Sequence, residues 1–274
     1  MADILFTFEW WDYLSILLIL IIGLPHGALD TAVGMSVGIY NSNKSKFIFL
    51  SSYLSMSILV VIFWYYYPQI ALSLFLLIST FHFGLGDSKW NKKFTYYLSG
   101  YFNGGIIIYG LSYCNMSEVN AIYKVLVGVN SDAVWSFLEI GLLIWVISFP
   151  LHIYFNWKSF DKNYFLTSSF IIFIIYLLPP LLAFAIYFSL IHSINHIKRV
   201  IPALQKKLSK LSIMKLFFIF TIGSWLIGLI ILFLLIQTNS ITDAALKLTF
   251  IGLAALTFPH MILVDIFFRP KTQL

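Results

Sequence analysis

Charge and cysteine are both scarce in this chain. Asp, Glu, Lys and Arg make up 10% of its 274 residues, where soluble domains carry roughly 25%. So few charges cannot cover a water-facing surface, which excludes an ordinary soluble globular protein. The single cysteine, Cys114, excludes an intrachain disulfide and a thiolate metal cluster. Between Met1 and Asp12 there is no basic residue, while Asp3, Glu9 and Asp12 are present. A cleavable signal peptide, which wants a basic leader, is therefore not expected. No solenoid repeat, low-complexity tract, linker or soluble domain is visible.

What fills the chain instead is apolar and aromatic. Hydrophobic residues make up 60% and Phe, Tyr and Trp 19%, so the side chains must face lipid. A spanning helix needs about 20 apolar residues, and nine segments qualify: 13–38, 47–66, 70–87, 94–114, 132–155, 164–178, 181–198, 212–236 and 242–267. The expectation is an all-α, polytopic transmembrane helical bundle, a single integral-membrane domain over 1–274. Pro68 and Pro179-Pro180 punctuate long apolar stretches; proline lacks the backbone donor, so each reads as a turn between helices. The alternative at either place is one kinked helix, which would leave eight or seven spans.

Charge placement tests this division. With the N-terminus outside, the inward loops carry Lys44, Lys46, Lys89, Lys92, Lys93, Lys158, Lys162, Lys198, Arg199, Lys206, Lys207, Lys210, Lys215, Arg269 and Lys271. Only Lys124 and Lys247, of 17 basic residues, fall outside. Cytoplasmic loops hold the excess of Lys and Arg in membrane proteins. The bias supports nine spans, with the N-terminus outside and the C-terminus cytoplasmic. The formal charge of +6 is then a topology signal, and no nucleic-acid partner is expected.

All six histidines, His26, His82, His152, His192, His196 and His260, fall within these apolar segments. Ionisable residues are costly there and tend to face a bundle interior. His192 and His196 are four apart, on one helix face. Two imidazoles so placed can bind one metal ion, although an isolated pair is more often a hydrogen-bonded structural feature. The others have patterned surroundings. Pro25-His26-Gly27 is followed by Asp30, Phe81-His82-Phe83-Gly84 by Asp87, and Pro259-His260 by Asp265. A metal-bound imidazole needs its second ring nitrogen tied to an acceptor, and these carboxylates could serve histidines on neighbouring helices. Asp87 and Asp265 also suit helix ends near the headgroups. Gly27 and Gly84 would admit a close approach by a helix or ligand.

Imidazoles suit iron, zinc, copper or nickel. Iron(II) on four histidines with open positions can take O2; zinc on three histidines and a water would favour hydrolysis. The residues alone do not choose between them. A membrane desaturase or hydroxylase would want more histidine boxes than one HxxxH. A membrane carrier or transporter of metal or haem remains open. A retinal-binding pump needs an intramembrane lysine, and Lys247 lies too close to a segment end.

These motifs resemble those of the Brp/Blh family of bacterial and archaeal membrane proteins, β-carotene 15,15′-dioxygenases often encoded beside microbial rhodopsins. The residues that carry the likeness are Pro25-His26-Gly27 with Asp30, Phe81-His82-Phe83-Gly84 with Asp87, His192-x-x-x-His196, and Pro259-His260 with Asp265. The resemblance implies an iron(II) centre held by His26, His82, His192 and His196. It implies O2-dependent cleavage of the central double bond of all-trans β-carotene into two all-trans retinal molecules, in the inner (plasma) membrane, with a functional link to a retinal-binding rhodopsin. His260, with Asp30, Asp87 and Asp265, is then expected to support the site from outside the ligand set or from the substrate side. Phe81, Phe83, Tyr187 and Phe188, each near a ligand, are expected to line the polyene slot, and ordinary helix packing is the plainer account of any one of them. His152 matches no family motif and is expected to be structural. The soluble animal enzymes of the same reaction are β-propellers, an architecture excluded here by the lack of repeated short strands.

Overall fold

The computed structural model describes residues 7–40, 42–87, 94–128, 130–157, 160 and 162–269. Among the described residues the chain is helical with no strand. Ten helical elements follow one another: α1 (Trp10–Ser36), α2 (Asn43–Tyr66), α3 (Pro68–Asp87), α4 (Phe94–Cys114), α5 (Met116–Val127), α6 (Asp132–Asn156), α7 (Lys162–Leu177), α8 (Pro180–Gln205), α9 (Lys210–Leu235) and α10 (Ile241–Phe268). Seven of these, α1, α2, α3, α6, α8, α9 and α10, are long and apolar enough to cross a membrane. The protein is an all-α polytopic helical bundle.

All nine apolar segments read from the sequence are helical. α4 has the length of a span. α7, with 16 residues, reaches about 24 Å at 1.5 Å per residue, short of the roughly 30 Å hydrocarbon core. The proline breaks occur where expected: α2 ends at Tyr66 and α3 begins with Pro68, while α7 ends at Leu177 and α8 begins with Pro180. Serines cap several starts. Ser42, Ser209 and Ser240 each accept from a backbone N–H in the first turn of α2, α9 and α10. Lys89, Lys92, Lys93, Lys158 and Lys271 of the charge argument lie outside the described residues.

The chain divides into two compact units. The first comprises the chain through Ser15 and Pro68–Phe188. Its centre is the α3–α4 contact, where backbones meet. A Cβ at Gly84 would fall on the Gly100 carbonyl, and one at Gly104 on the Thr80 carbonyl. α6 packs on α4 through aromatic rings: Trp145 stacks on Phe102 with centroids 5.3 Å apart, and its Nε1 donates to the Phe102 carbonyl at 2.8 Å. The short α5 is buried on one face. It ends at Gly128, whose φ of 72° gives the left-handed cap. Its Tyr123 donates or accepts with Ser112 at 2.9 Å, and burial pushes the phenol up to about 12.

The second unit comprises Ile16–Tyr67 and Ser189–Leu274. Here α1 is irregular. It widens to a π-turn over Ile19–Gly23 and tightens to a 3-10 turn over Leu24–Leu29. Pro25 explains the change, since it offers no N–H to the helical ladder. The Leu24 N–H bonds the Ile19 carbonyl, and the next residue is that proline, so the Leu20 carbonyl needs a donor from elsewhere. Trp225 of α9 supplies it, Nε1 to carbonyl, at 2.9 Å. Ser189 likewise donates to Leu18 at 3.0 Å. At the end of α1, the Lys207 ammonium donates to the Ser36 carbonyl at 2.7 Å. A donor for the Leu20 carbonyl is obligatory where no water reaches the backbone.

Candidate metal centre

Burial sorts the helices. α1, α3 and α8, which carry His26, His82, His192 and His196, have 61% of their most apolar window buried, against 6% for α2 and α9. These four histidines therefore sit on the most buried helices, while α2 and α9 expose Leu, Ile and Phe. Each of the six histidines is buried.

Four of them meet within the second unit. His26 projects from the 3-10 turn of α1, His192 from the π-turn Tyr187–Ser193 inside α8, His196 from the regular part of α8, and His260 from α10 just before its π-turn Ile262–Phe268. Ring centroids are 5.6 Å apart for His26–His192, 5.3 Å for His26–His196, and 5.1 Å for both His26–His260 and His196–His260. Single π-turns in α-helices recur at functional sites. Here each accompanies a histidine, and Pro25 and Pro259 lie one residue before two of these imidazoles.

The hydrogen bonds fix which nitrogen faces inward. The His26 Nδ1 lies 2.5 Å from the Gly23 carbonyl, with the Ser193 hydroxyl at 3.2 Å. A carbonyl only accepts, so Nδ1 carries the proton, and in the neutral ring Nε2 holds the lone pair. His260 shows the same arrangement on a carboxylate: its Nδ1 is 2.7 Å from Asp30 Oδ1. Asp30 Oδ2 accepts from the Tyr53 hydroxyl at 2.8 Å, and that hydroxyl lies 3.3 Å from the Leu256 carbonyl. His26 and His260 bring ring nitrogens within 4.8 Å of each other.

This donor set fits a transition metal. Metal–nitrogen bonds of about 2.1 Å place the centroids of rings sharing an ion at 100–120° roughly 5–5.5 Å apart, the spacing found here. An acceptor on the outer ring nitrogen is the usual support of a metal-bound histidine. The cluster holds imidazole and no thiolate; Cys114 is exposed and elsewhere.

The remaining expected residues are placed as follows. His82 is buried on α3 in the first unit, beside Phe83 at 6.0 Å between ring centroids. Phe83 also packs against Phe184, Tyr187 and Phe188, and Phe81 against Tyr101. Asp87 accepts from the Tyr187 hydroxyl at 2.7 Å, and Asp265 pairs with Arg269 at 2.7 Å, one turn along the same helix. Gly84 sits at a backbone contact, as its place beside His82 implied. Gly27 does not: a Cβ there would meet nothing within 4 Å among the described residues. His152 stacks on Phe102 at 4.5 Å and pairs through Nε2 with the Tyr164 hydroxyl at 3.1 Å, inside an aromatic cluster of the first unit.

Sequence reasoning missed Tyr53. The usable signal was a hydroxyl on a lipid-facing helix, which must find an acceptor.

No solved structure matches. A curated protein from an uncultured marine bacterium, 66A03, named Beta-carotene 15,15'-dioxygenase, is 36% identical over 266 residues, covering 96% of each chain. The family profile described as Beta-carotene 15,15'-dioxygenase matches residues 17–268, which takes in all six histidines and both units. The chain belongs to the β-carotene 15,15'-dioxygenase family.

Proposed function

We propose that the chain is a membrane dioxygenase that cleaves all-trans β-carotene at its central double bond to two molecules of all-trans retinal, using O2 and an iron(II) ion. The observation that carries this reading is the convergence of His26, His192 and His196 at ring spacings suited to one ion, in a chain of this family. These three would hold the metal. His82 joins them as the fourth ligand on the strength of the motif resemblance and its burial.

Iron(II), when bound, supplies activation of O2. The rest is positioning by the chain. The Gly23 carbonyl holds the proton on His26 Nδ1 and leaves Nε2 for the metal. The irregular turns of α1 and α8 fix where the rings point. Apolar surroundings keep water from the site. β-Carotene is about as long as the ~30 Å hydrocarbon core, so it would enter from the lipid with its axis along the helices. Phe81, Phe83, Tyr187 and Phe188 would hold the polyene flat. One O2 supplies one oxygen atom to each carbon of the broken bond, so the reaction balances without an external reductant. We further place the enzyme in the inner membrane with its N-terminus outside, as a single functional domain that delivers retinal to a rhodopsin.

Expression in cells that accumulate β-carotene tests the reading. Loss of orange colour with retinal appearing is the expected result. Persistent β-carotene beside folded, iron-loaded chain would overturn it and favour a metal carrier.

A further inference from the structure

His260 was expected to support the metal site from outside the ligand set. The geometry points to a closer role. His260 stands 5.1 Å from His26 and 5.1 Å from His196, while those two rings are 5.3 Å apart. The three rings form a nearly equilateral triangle, so His260 is as much part of the cluster as the other two. It also shares the feature that marks His26: an acceptor bound to Nδ1, here Asp30 Oδ1 at 2.7 Å. A carboxylate on Nδ1 fixes the tautomer, leaves Nε2 with the lone pair and raises its basicity.

Asp30 is itself held. Its second oxygen accepts from the Tyr53 hydroxyl at 2.8 Å. The three residues come from α1, α2 and α10, so the chain Tyr53–Asp30–His260 ties three helices of the second unit at one point. A buried carboxylate in a membrane helix is costly. A tie between helices needs no charge, whereas a carboxylate on an imidazole adds basicity to the nitrogen it leaves free.

We infer that Tyr53 and Asp30 are positioning residues that hold His260 with its Nε2 directed at the metal, making His260 a further imidazole of the centre. The inference rests on the metal-site reading proposed above and extends its ligand set. Asp30 keeps the proton on Nδ1, and Tyr53 keeps Asp30 from rotating toward another donor. No bond is made or broken by either residue.

The test uses the purified full chain in detergent, stripped of metal and titrated with Co(II), followed by its visible spectrum and by the rise in melting temperature on metal binding. Asp30→Asn and Tyr53→Phe change one polar group each and keep shape. The expected result is 10–100-fold weaker Co(II) binding in Asp30→Asn, a smaller loss in Tyr53→Phe, and an altered Co(II) spectrum in His260→Ala. Tyr53→Phe should lower the metal-free melting temperature only modestly, by the loss of one donor to Asp30. If both conservative variants bind Co(II) as wild type does, and His260→Ala keeps the wild-type spectrum, the inference fails while the metal site stands. If the variants lose only metal-free stability, the chain of residues is structural, which also overturns it. A wild-type protein that binds no Co(II) and no iron overturns the metal-site reading together with this one.

Discussion

His152 and His192 are both fully buried histidines on apolar helices, yet their surroundings differ in kind. His152 lies against Phe102, Phe160 and Tyr164, with its polar needs met by a phenol. His192 faces His26 edge-on. His192→Ala should therefore remove bound iron and cleavage together, read by metal analysis and retinal assay on one sample. His152→Ala should keep retinal formation per folded, iron-loaded chain and lower stability by about 2–4 kcal/mol, the usual loss for a large buried ring, read by thermal melting. An inactive His152→Ala that still holds iron and carotene would give that residue a role in the chemistry. The sequence disclosed His192 and His196 through their spacing of four, and Asp30 because a carboxylate so deep in an apolar run needs a reason. Tyr53 carried no such mark. It is one of 16 tyrosines, and its acceptor is 23 positions away, a relation that only the packing of α2 on α1 and α10 creates.

Helix irregularity shapes the site at the next scale. Pro25 breaks the ladder of α1 and turns His26 inward, and the break is tolerated because Trp225 donates to the Leu20 carbonyl. Trp225→Phe keeps an aromatic ring, though a smaller one, and removes the N–H. It should destabilise the protein by about 1–3 kcal/mol, the cost of a carbonyl left without its donor, and an unchanged melting temperature would show that another donor serves. In the first unit the α3–α4 contact depends on the absence of side chains at Gly84 and Gly104. Gly84→Val should prevent close packing and abolish folded yield in membranes, measured by detergent extraction and size exclusion. Proline breaks and helix positions were legible in the sequence, since apolar length and missing donors are local properties. The π-turns were not: nothing in Tyr187–Ser193 or Ile262–Phe268 departs from helical composition, and the widened turns follow from tertiary contacts. Gly27, next to His26, reads in the sequence as admitting a helix or a ligand; among the described residues no helix meets it, and the space there is open.

For the whole molecule, orientation and chemistry are the two claims to test. Nine spans with the N-terminus outside would leave Cys114, at the end of α4, on the outer face. Because it is the single cysteine and exposed, a membrane-impermeant maleimide should label it on intact spheroplasts; labelling only after lysis would invert the topology. The chemistry turns on several imidazoles sharing one iron ion inside an apolar bundle, with carotene cleavage dependent on that ion. Iron content and retinal yield, measured on the same purified sample as iron is withdrawn and restored, test this most directly. Retinal yield should rise and fall with iron occupancy, approaching one ion per chain, and both should vanish in His26→Ala. Full retinal yield from an iron-free sample would contradict the account.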